Sequence, residues 1–142
     1  LTELAVGAPG HDGGRGRVGV YDGWSLVLPG ELVPDTLVEM SEDRDPGDHL
    51  GRTLAMGDLD GDGLDDLLVG APDWVKPRAH DAGRLLVWRG DEEGLAAELL
   101  AGQDEDHAIE GGQPFQRVGL DLSLSDLDED GRLDVILPTR SR

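Results

Sequence analysis

The amino-acid sequence predicts an all-β protein built from repeated sheets of four short antiparallel strands. The string LAVGAP at residues 4–9 returns as LLVGAP at residues 67–72, 63 residues later. The segment at residues 49–66 returns 68 residues later, and GRVGVYDG at residues 16–23 returns as GRLLVWRG after 67 residues. These three observations indicate partial copies of one unit of about 65 residues, the signature of a repeat architecture.

Each repeated segment has the pattern of a β-strand. Residues 67–69 and 135–137 are short apolar runs ended by Gly or Pro, as expected for strands buried on both faces. Residues 18–20 and 85–87 alternate with their neighbours, as strands nearer the sheet edge do. Residues 95–100 form the one segment compatible with a helical turn. A glycine-punctuated repeat of four short strands is typical of a β-propeller blade.

The repeat predicts how the blades divide the chain. We expect residues 1–47 to be the end of one blade, residues 48–113 a complete blade and residues 114–142 the start of the next. Propellers close with about 4–8 blades. About two blades of a larger ring are present, so we expect a fragment of a longer protein. The alternative is a natural two-blade chain that closes by oligomerising, which light scattering would reveal.

Composition excludes several classes of partner and chemistry. The 142 residues include 12 Lys+Arg against 31 Asp+Glu, a formal net charge of −19. This field repels nucleic acid and anionic membrane surfaces and attracts cations. No apolar run approaches the roughly 18 residues of a membrane span, so membrane insertion is not expected. With 0 cysteines, the chain has no disulfide, thiolate zinc site or Cys nucleophile.

The strongest chemical signal is the loop DLDGDGLDD at residues 58–66. Carboxylates stand at its positions 1, 3, 5 and 9, a glycine at position 6 accepts a positive φ, and position 7 offers a backbone carbonyl. A set of oxygen ligands without N or S suits a hard cation, and Ca²⁺ takes about 6–8 of them, whereas Mg²⁺ prefers a smaller octahedron. The predicted ligands are Asp58, Asp60, Asp62, the carbonyl of Leu64, and Asp66.

A second loop at residues 126–134 repeats this spacing, so we predict one Ca²⁺ in each loop, two in this chain. The predicted ligands are Asp126, Asp128, Asp130, the carbonyl of Arg132, and Asp134. Asp65 and Glu129 are left out, because the other copy has no acid at the same position. Glu3 aligns with Asp66 as position 9 of a third loop, and the remaining positions of that loop precede residue 1.

Two alternatives compete with this assignment. An EF-hand-type loop needs a bidentate acid at position 12, where this chain has Val69 and Leu137 inside apolar runs. The other alternative is an acidic turn that binds no metal. Four carboxylates around one point repel each other strongly without a cation, and the pattern occurs twice. Both considerations favour the metal loop.

The unit resembles the FG-GAP repeat of the integrin α-subunit β-propeller and of related bacterial secreted proteins. The repeat is named after a Phe-Gly pair and a Gly-Ala-Pro segment. The positions of the Phe-Gly pair are occupied by Leu50-Gly51 and Val118-Gly119, and Gly-Ala-Pro stands at residues 7–9 and 70–72, with the Asp-rich loop between the two elements. Neither Phe-Gly pair has its Phe, and the third copy has residues 137–140 where Gly-Ala-Pro is expected. The resemblance implies an extracellular, calcium-binding propeller whose Asp-rich loops join the first two strands of each blade. Loops on the opposite face then contact a partner.

Nothing in the sequence indicates catalysis. The clustered carboxylates are assigned to the cation loops, and Ser123 and Ser125 have no partnered histidine in a recognisable arrangement. We therefore expect a non-enzymatic adhesion or protein-interaction module at the cell surface or secreted, with a protein ligand or neighbouring blades as partners. The alternative is an accessory propeller of a secreted hydrolase whose catalytic domain lies outside this chain. Because Lys76 is the sole lysine against 11 Arg, we expect a bacterial source.

Two smaller sequence features favour structural over functional interpretations. The loop at residues 73–82 carries Trp74, Lys76, Arg78 and His80, and a solvated loop with one anchoring aromatic is favoured over a docking site. Arg89-Gly90-Asp91 spells a tripeptide that some integrins recognise, but Gly90 matches the turn glycine Gly23 of the other copy. A structural turn is therefore the favoured interpretation.

Overall fold

The structure, a computed structural model, describes residues 3–23, 30, 33–40 and 47–140. This part of the chain contains ten β-strands and one short helical segment. In chain order they are β1 (Leu4–Ala8), α1 (His11–Gly14), β2 (Arg17–Tyr21), β3 (Thr36–Met40), β4 (Leu54–Gly57), β5 (Asp66–Ala71), β6 (Arg84–Trp88), β7 (Glu98–Ala101), β8 (His107–Glu110), β9 (Ser123–Ser125) and β10 (Asp134–Ile136).

The strands form two four-stranded sheets and one hairpin. The first sheet has the order β1-β2-β3-β7, the second β4-β5-β6-β8, and the hairpin consists of β9 and β10. The all-β class and the blade-like sheets are confirmed. The blade boundaries at residues 47/48 and 113/114 stay predictions. No helix among the described residues is long and apolar enough to cross a membrane.

The apolar run of β5 is buried on both faces, as its sequence predicts. Leu67 and Val69 pack into the core between the two sheets, and Leu68 packs on the opposite side. The same prediction is wrong for β10, where Ile136 is 38% exposed. Within the described residues, the hairpin packs one face against the second sheet through Leu124 and Val135.

The alternating strands β2 and β6 are internal strands, so the prediction that they lie towards the sheet edge is wrong. β6 pairs with β5 on one side and β8 on the other, and all five of its residues are buried. β2 lies between β1 and β3 in the same way. The segments of β7 and β8, which form one edge of each sheet, have weaker apolar patterns, which is why the sequence alone did not reveal them as strands.

The segment that is compatible with a helical turn contains a strand instead. β7 pairs parallel with β3, and Leu99 lies opposite Val38. Leu99 and Ala101 are buried in the core, whereas Glu98 and Leu100 are exposed. Burial of alternate residues against the first sheet favours the extended conformation, so the tertiary contact overrides a weak local preference. This pairing also departs from the fully antiparallel sheets predicted.

The repeated glycines of successive units contact each other. A Cβ atom at Gly7 would overlap the carbonyl oxygen of Gly51, and one at Gly70 would overlap that of Gly119. Gly51 and Gly119 have φ values of +85° and +81°, which favour glycine. The hydroxyl of Thr53 donates to the Gly119 carbonyl at 2.8 Å. The two motif elements are therefore the two sides of one close contact between neighbouring units.

Candidate metal centres

The two Asp-rich loops connect paired antiparallel strands. The loop at residues 58–66 joins β4 to β5, and the loop at residues 126–134 joins β9 to β10. The loops are neighbours, because the N–H of Leu133 donates to the Asp58 carbonyl at 3.3 Å and the Arg132 side chain lies beside Gly61. Both candidate centres consequently lie at the same end of the sheets.

In the first loop, three carboxylates converge. One oxygen atom from each of Asp58, Asp60 and Asp66 lies within 4.8 Å of the other two. The loop backbone holds Asp58 by donating from Gly61 at 2.6 Å and from Gly63 at 2.8 Å. Asp66 is only 2% exposed. The loop therefore curls around its own first carboxylate, and the buried Asp66 closes the group.

The second loop repeats the arrangement with a different third member. Oxygen atoms of Asp126, Asp128 and Asp130 lie within 4.8 Å of one another. Asp126 accepts from the backbone N–H groups of Asp130 at 3.1 Å and Gly131 at 2.9 Å. Two sequences that differ at several positions thus fold into nearly the same hydrogen-bonded loop.

Each loop leaves one predicted carboxylate outside its three-membered group. In the first loop this is Asp62, which accepts from the N–H of Leu64 at 2.8 Å. In the second loop it is Asp134, which accepts from the N–H of Leu127 at 2.9 Å. These two carboxylates, and the carbonyls of Leu64 and Arg132, stay predicted ligands.

The backbone of both loops has the conformation that the sequence predicts at position 6. Gly63 and Gly131 have φ values of +87° and +88°. Position 4 is also left-handed, with φ of +83° at Gly61 and +60° at Glu129. In the second loop, Glu129 has the left-handed backbone conformation that glycine has in the first loop. The hydrogen bonds to Asp126 hold the second loop in its curled conformation.

The hydrogen bonds also keep the first carboxylate ionised. The N–H of Gly63 makes the largest contribution to a pKa of Asp58 below its ordinary value, partly opposed by desolvation and reinforced by the N–H of Gly61. A carboxylate held ionised is ready to act as a metal ligand without first losing a proton.

The donor set of the two groups fits a hard divalent cation. All converging side-chain atoms are carboxylate oxygens, the ligands that Ca²⁺ prefers. At 4.8 Å, two such charges repel by about 1 kcal/mol at the dielectric constant of water, and more where protein excludes solvent. A bound cation reverses this repulsion, so these acidic groups are placed to hold a metal ion.

Sequence reasoning missed the contacts made by the Arg89-Gly90 turn. The N–H of Gly90 donates to Asp66 at 3.0 Å, and the Arg89 guanidinium lies 3.5 Å from an Asp60 oxygen. A Cβ atom at Gly90 would overlap the Asp65 carbonyl. The only sequence signal for this role is the matching glycine, Gly23, of the other copy. These contacts support the structural interpretation of the turn.

The loop at residues 73–82 is anchored by its aromatic residue. Trp74 is 6% exposed, and the guanidinium of Arg84 lies 5.1 Å from the centre of its ring. Beside it, Asp73 contacts His49 at 2.8 Å and Arg117 at 2.6 Å. His49 and Arg117 occupy equivalent positions in successive units, so this loop bridges two repeats.

The fold and the loops together define a class: segments of β-propellers whose Asp-rich loops connect adjacent strands within a blade. Comparison with known proteins supports this class. Residues 50–88 match the model of the FG-GAP repeat, so this part of the chain is similar to that family.

Similarity to individual proteins covers more of the chain. It is 38% identical to the integrin alpha-PS2 of Drosophila melanogaster over 140 residues, which is 91% of this chain and 9% of that protein. It is 31% identical to human integrin alpha-IIb over 142 residues, 94% of this chain and 12% of that protein. It is also 37% identical to the phosphatidylinositol-glycan-specific phospholipase D of Rattus norvegicus over 91 residues, 63% of this chain and 11% of that protein. The chain spans about a tenth of the length of these relatives.

Proposed function

We propose that this chain is a calcium-binding segment of a non-catalytic β-propeller that serves as an extracellular adhesion or protein-interaction module. The observation that carries the calcium part is the convergence of three carboxylates in each of two loops, within 4.8 Å of one another. Similarity to two integrin α-subunits supports the interaction part.

The proposed role of Ca²⁺ is structural. Each loop joins two paired strands, so an ion held by both ends of the loop ties those strands together. In the first loop, Asp58 directly follows β4 and Asp66 is the first residue of β5. Bound Ca²⁺ supplies positive charge and oxygen coordination, which cancels the repulsion among the carboxylates. The blade then presents rigid loops rather than mutually repelling ones.

The end of the sheets opposite the cation loops is the proposed contact surface for a protein ligand. Its loop at residues 73–82 is held in place by Trp74, which leaves Arg78 and His80 exposed. Neighbouring blades of the same propeller are the other proposed partners.

Isothermal titration calorimetry with Ca²⁺ tests the metal assignment. We expect two bound ions for the parent chain and one for each of the variants Asp58→Asn and Asp126→Asn. Each variant removes a charged ligand from one loop. Substitution of residues that only hydrogen-bond to a metal ligand already lowers metal affinity by about 10–100-fold. Loss of a ligand should therefore lower the affinity of the altered site by at least about tenfold.

Matched controls separate ligation from general charge. Asp65→Asn and Glu129→Gln remove a carboxylate from the same two loops at positions outside the predicted ligand set. Both should retain two bound ions. The loss of one negative charge near the site should lower the Ca²⁺ affinity only modestly. Equal losses in the control and ligand variants would contradict the proposed ligand set.

The similarity to a phospholipase favours a second candidate function. In that case the chain is an accessory propeller of a secreted hydrolase, and catalysis belongs to another domain. The two candidates differ in the parent protein, so its complete open reading frame distinguishes them. A hydrolase domain encoded beside the repeats would favour the second, and further repeats followed by an integrin-like stalk would favour the first.

The proposed bacterial source rests on the preference for Arg over Lys and on the absence of cysteine. The three relatives described above are animal proteins. The coding sequence and its genomic neighbours would decide the source.

A further inference from the structure

Strands β3 and β8 occupy equivalent positions in the two sheets, each next to one of the equivalent strands β2 and β6. β3 pairs with β2 so that Val38 lies opposite Val18, and β8 pairs with β6 so that Ile109 lies opposite Leu85. The residue just before each strand makes the same backbone hydrogen bond. The N–H of Asp35 donates to Val20 at 2.8 Å, and that of Asp106 donates to Val87 at 2.9 Å. The two strands are therefore the same element of successive repeats.

The two strands differ in what covers their second edge. β3 pairs with β2 on one side and, in parallel, with β7 on the other. β8 pairs with β6 alone among the strands of the described residues. Val38 is 0% exposed, whereas its counterpart Ile109 is 45% exposed. All four residues of β8 are exposed. An unpaired edge with an exposed apolar side chain is a template for a further strand.

The covered edge shows what kind of strand fits. β7 buries Leu99 and Ala101 in the core between the two sheets. It is attached through the N–H of Leu37, which donates to the Ala97 carbonyl at 2.8 Å. β7 lies between β6 and β8 in the chain, so the second repeat supplies the strand that completes the first sheet.

The outer edge of β7 is less suited than that of β8 to pairing with a further strand. The N–H of Leu100 is held by the Asp104 carboxylate at 2.7 Å, a side-chain cap that opposes extension of the sheet. The strands β7 and β8 end the two sheets on corresponding sides; β7 has a capping contact on its outer side, whereas β8 has the exposed isoleucine.

We propose that the outer edge of β8 binds a parallel β-strand with apolar residues at two alternate positions, supplied by the equivalent connection of another repeat of this type. The inference rests on the blade arrangement of the proposed function and does not depend on Ca²⁺. The incoming strand places an apolar residue opposite Ile109, as Leu99 lies opposite Val38. Its backbone pairs with the N–H and C=O groups that alternate residues of β8 direct away from β6.

Charge disfavours a second copy of β8 as the occupant. The strand follows Asp104, Glu105 and Asp106 and ends at Glu110. Antiparallel pairing of two β8 strands would bring these acidic segments together, and like charges across a strand pair are destabilising. A β7-like strand carries a single acid, Glu98, on its exposed face.

The test adds the proposed strand to the intact chain. A peptide with the sequence of residues 93–103 is supplied free and, in a second sample, joined to the C-terminus through a flexible Gly/Ser linker that gives a millimolar effective concentration. Amide NMR shifts and hydrogen exchange are followed at residues 107–110. We expect shifts that saturate with the free peptide, and at least about tenfold slower exchange of the outward-pointing amides in the linked sample.

Two variants serve as controls. A peptide with Asp in place of Leu99 and Ala101 should have no effect, because it has no apolar residues to bury. The chain variant Ile109→Asp should fold, since this side chain is exposed, and should lose the response. Unchanged β8 amides in the linked sample would overturn the proposal. So would shifts confined to β3, which indicate exchange with β7, or concentration-dependent protection without peptide, which indicates self-association. None of these results bears on the calcium titration, which is measured separately.

Discussion

Saturating Ca²⁺ is expected to raise the melting temperature of the metal-free chain by about 10–20 °C. At a free concentration 100 times the dissociation constant, each site that binds only the folded state adds about 2.7 kcal/mol. For a chain of this size, each kcal/mol corresponds to about 2–4 °C. Two sites therefore give the stated range, which differential scanning calorimetry after EDTA treatment and Ca²⁺ addition measures.

The specificity of this shift is as informative as its size. Mg²⁺ at the same concentration should raise the melting temperature much less, because it prefers a compact octahedron and retains its waters. The double variant Asp58→Asn/Asp126→Asn should retain at most about half of the Ca²⁺-induced shift, because each site is expected to bind at least about tenfold more weakly. If the parent chain melts identically in EDTA and in Ca²⁺, neither loop is a structural metal site.

Gly70→Ala is expected to destabilise the chain by about 3 kcal/mol or more, at the upper end of the cost of overpacking. The added methyl group would overlap both the carbonyl oxygen of Gly119 and the hydroxyl of Thr53. These two atoms are hydrogen-bonded to each other at 2.8 Å, so neither can move away without loss of that bond. Urea unfolding followed by tryptophan fluorescence reports the change.

Gly10→Ala is the matched control for this substitution. Gly10 has a φ of −85°, which alanine adopts readily, and no other atom lies within 4 Å of its added Cβ. The control should be neutral or slightly stabilising, because alanine restricts the unfolded chain more than glycine does. Equal midpoints for the two variants would show that the contact between motif glycines contributes nothing to stability.

Much of the candidate site could be predicted, because its information is local. The alternation of aspartates in residues 58–66 and 126–134 and the glycines with positive φ all lie within nine residues. Repetition of the same spacing favours a metal loop over a chance acidic turn more strongly than either copy does alone. The sequence could not predict which three carboxylates converge in each loop. Asp66 joins the first and Asp130 the second, and one contributing contact, from Gly90 to Asp66, comes from a distant part of the chain.

The sequence by itself determined the repeat, the strands within the repeated segments and the two acidic loops, because apolar alternation, turn glycines and ligand spacing act over a few residues. The tertiary structure alone decided three other features. These are the parallel addition of β7 to the first sheet, the internal position of β2 and β6, and the contact between glycines of successive units. Each depends on which surfaces meet after the chain has closed loops of tens of residues. Burial of apolar area and the space available between neighbouring backbones decide that outcome, and neither is visible in a short stretch of sequence.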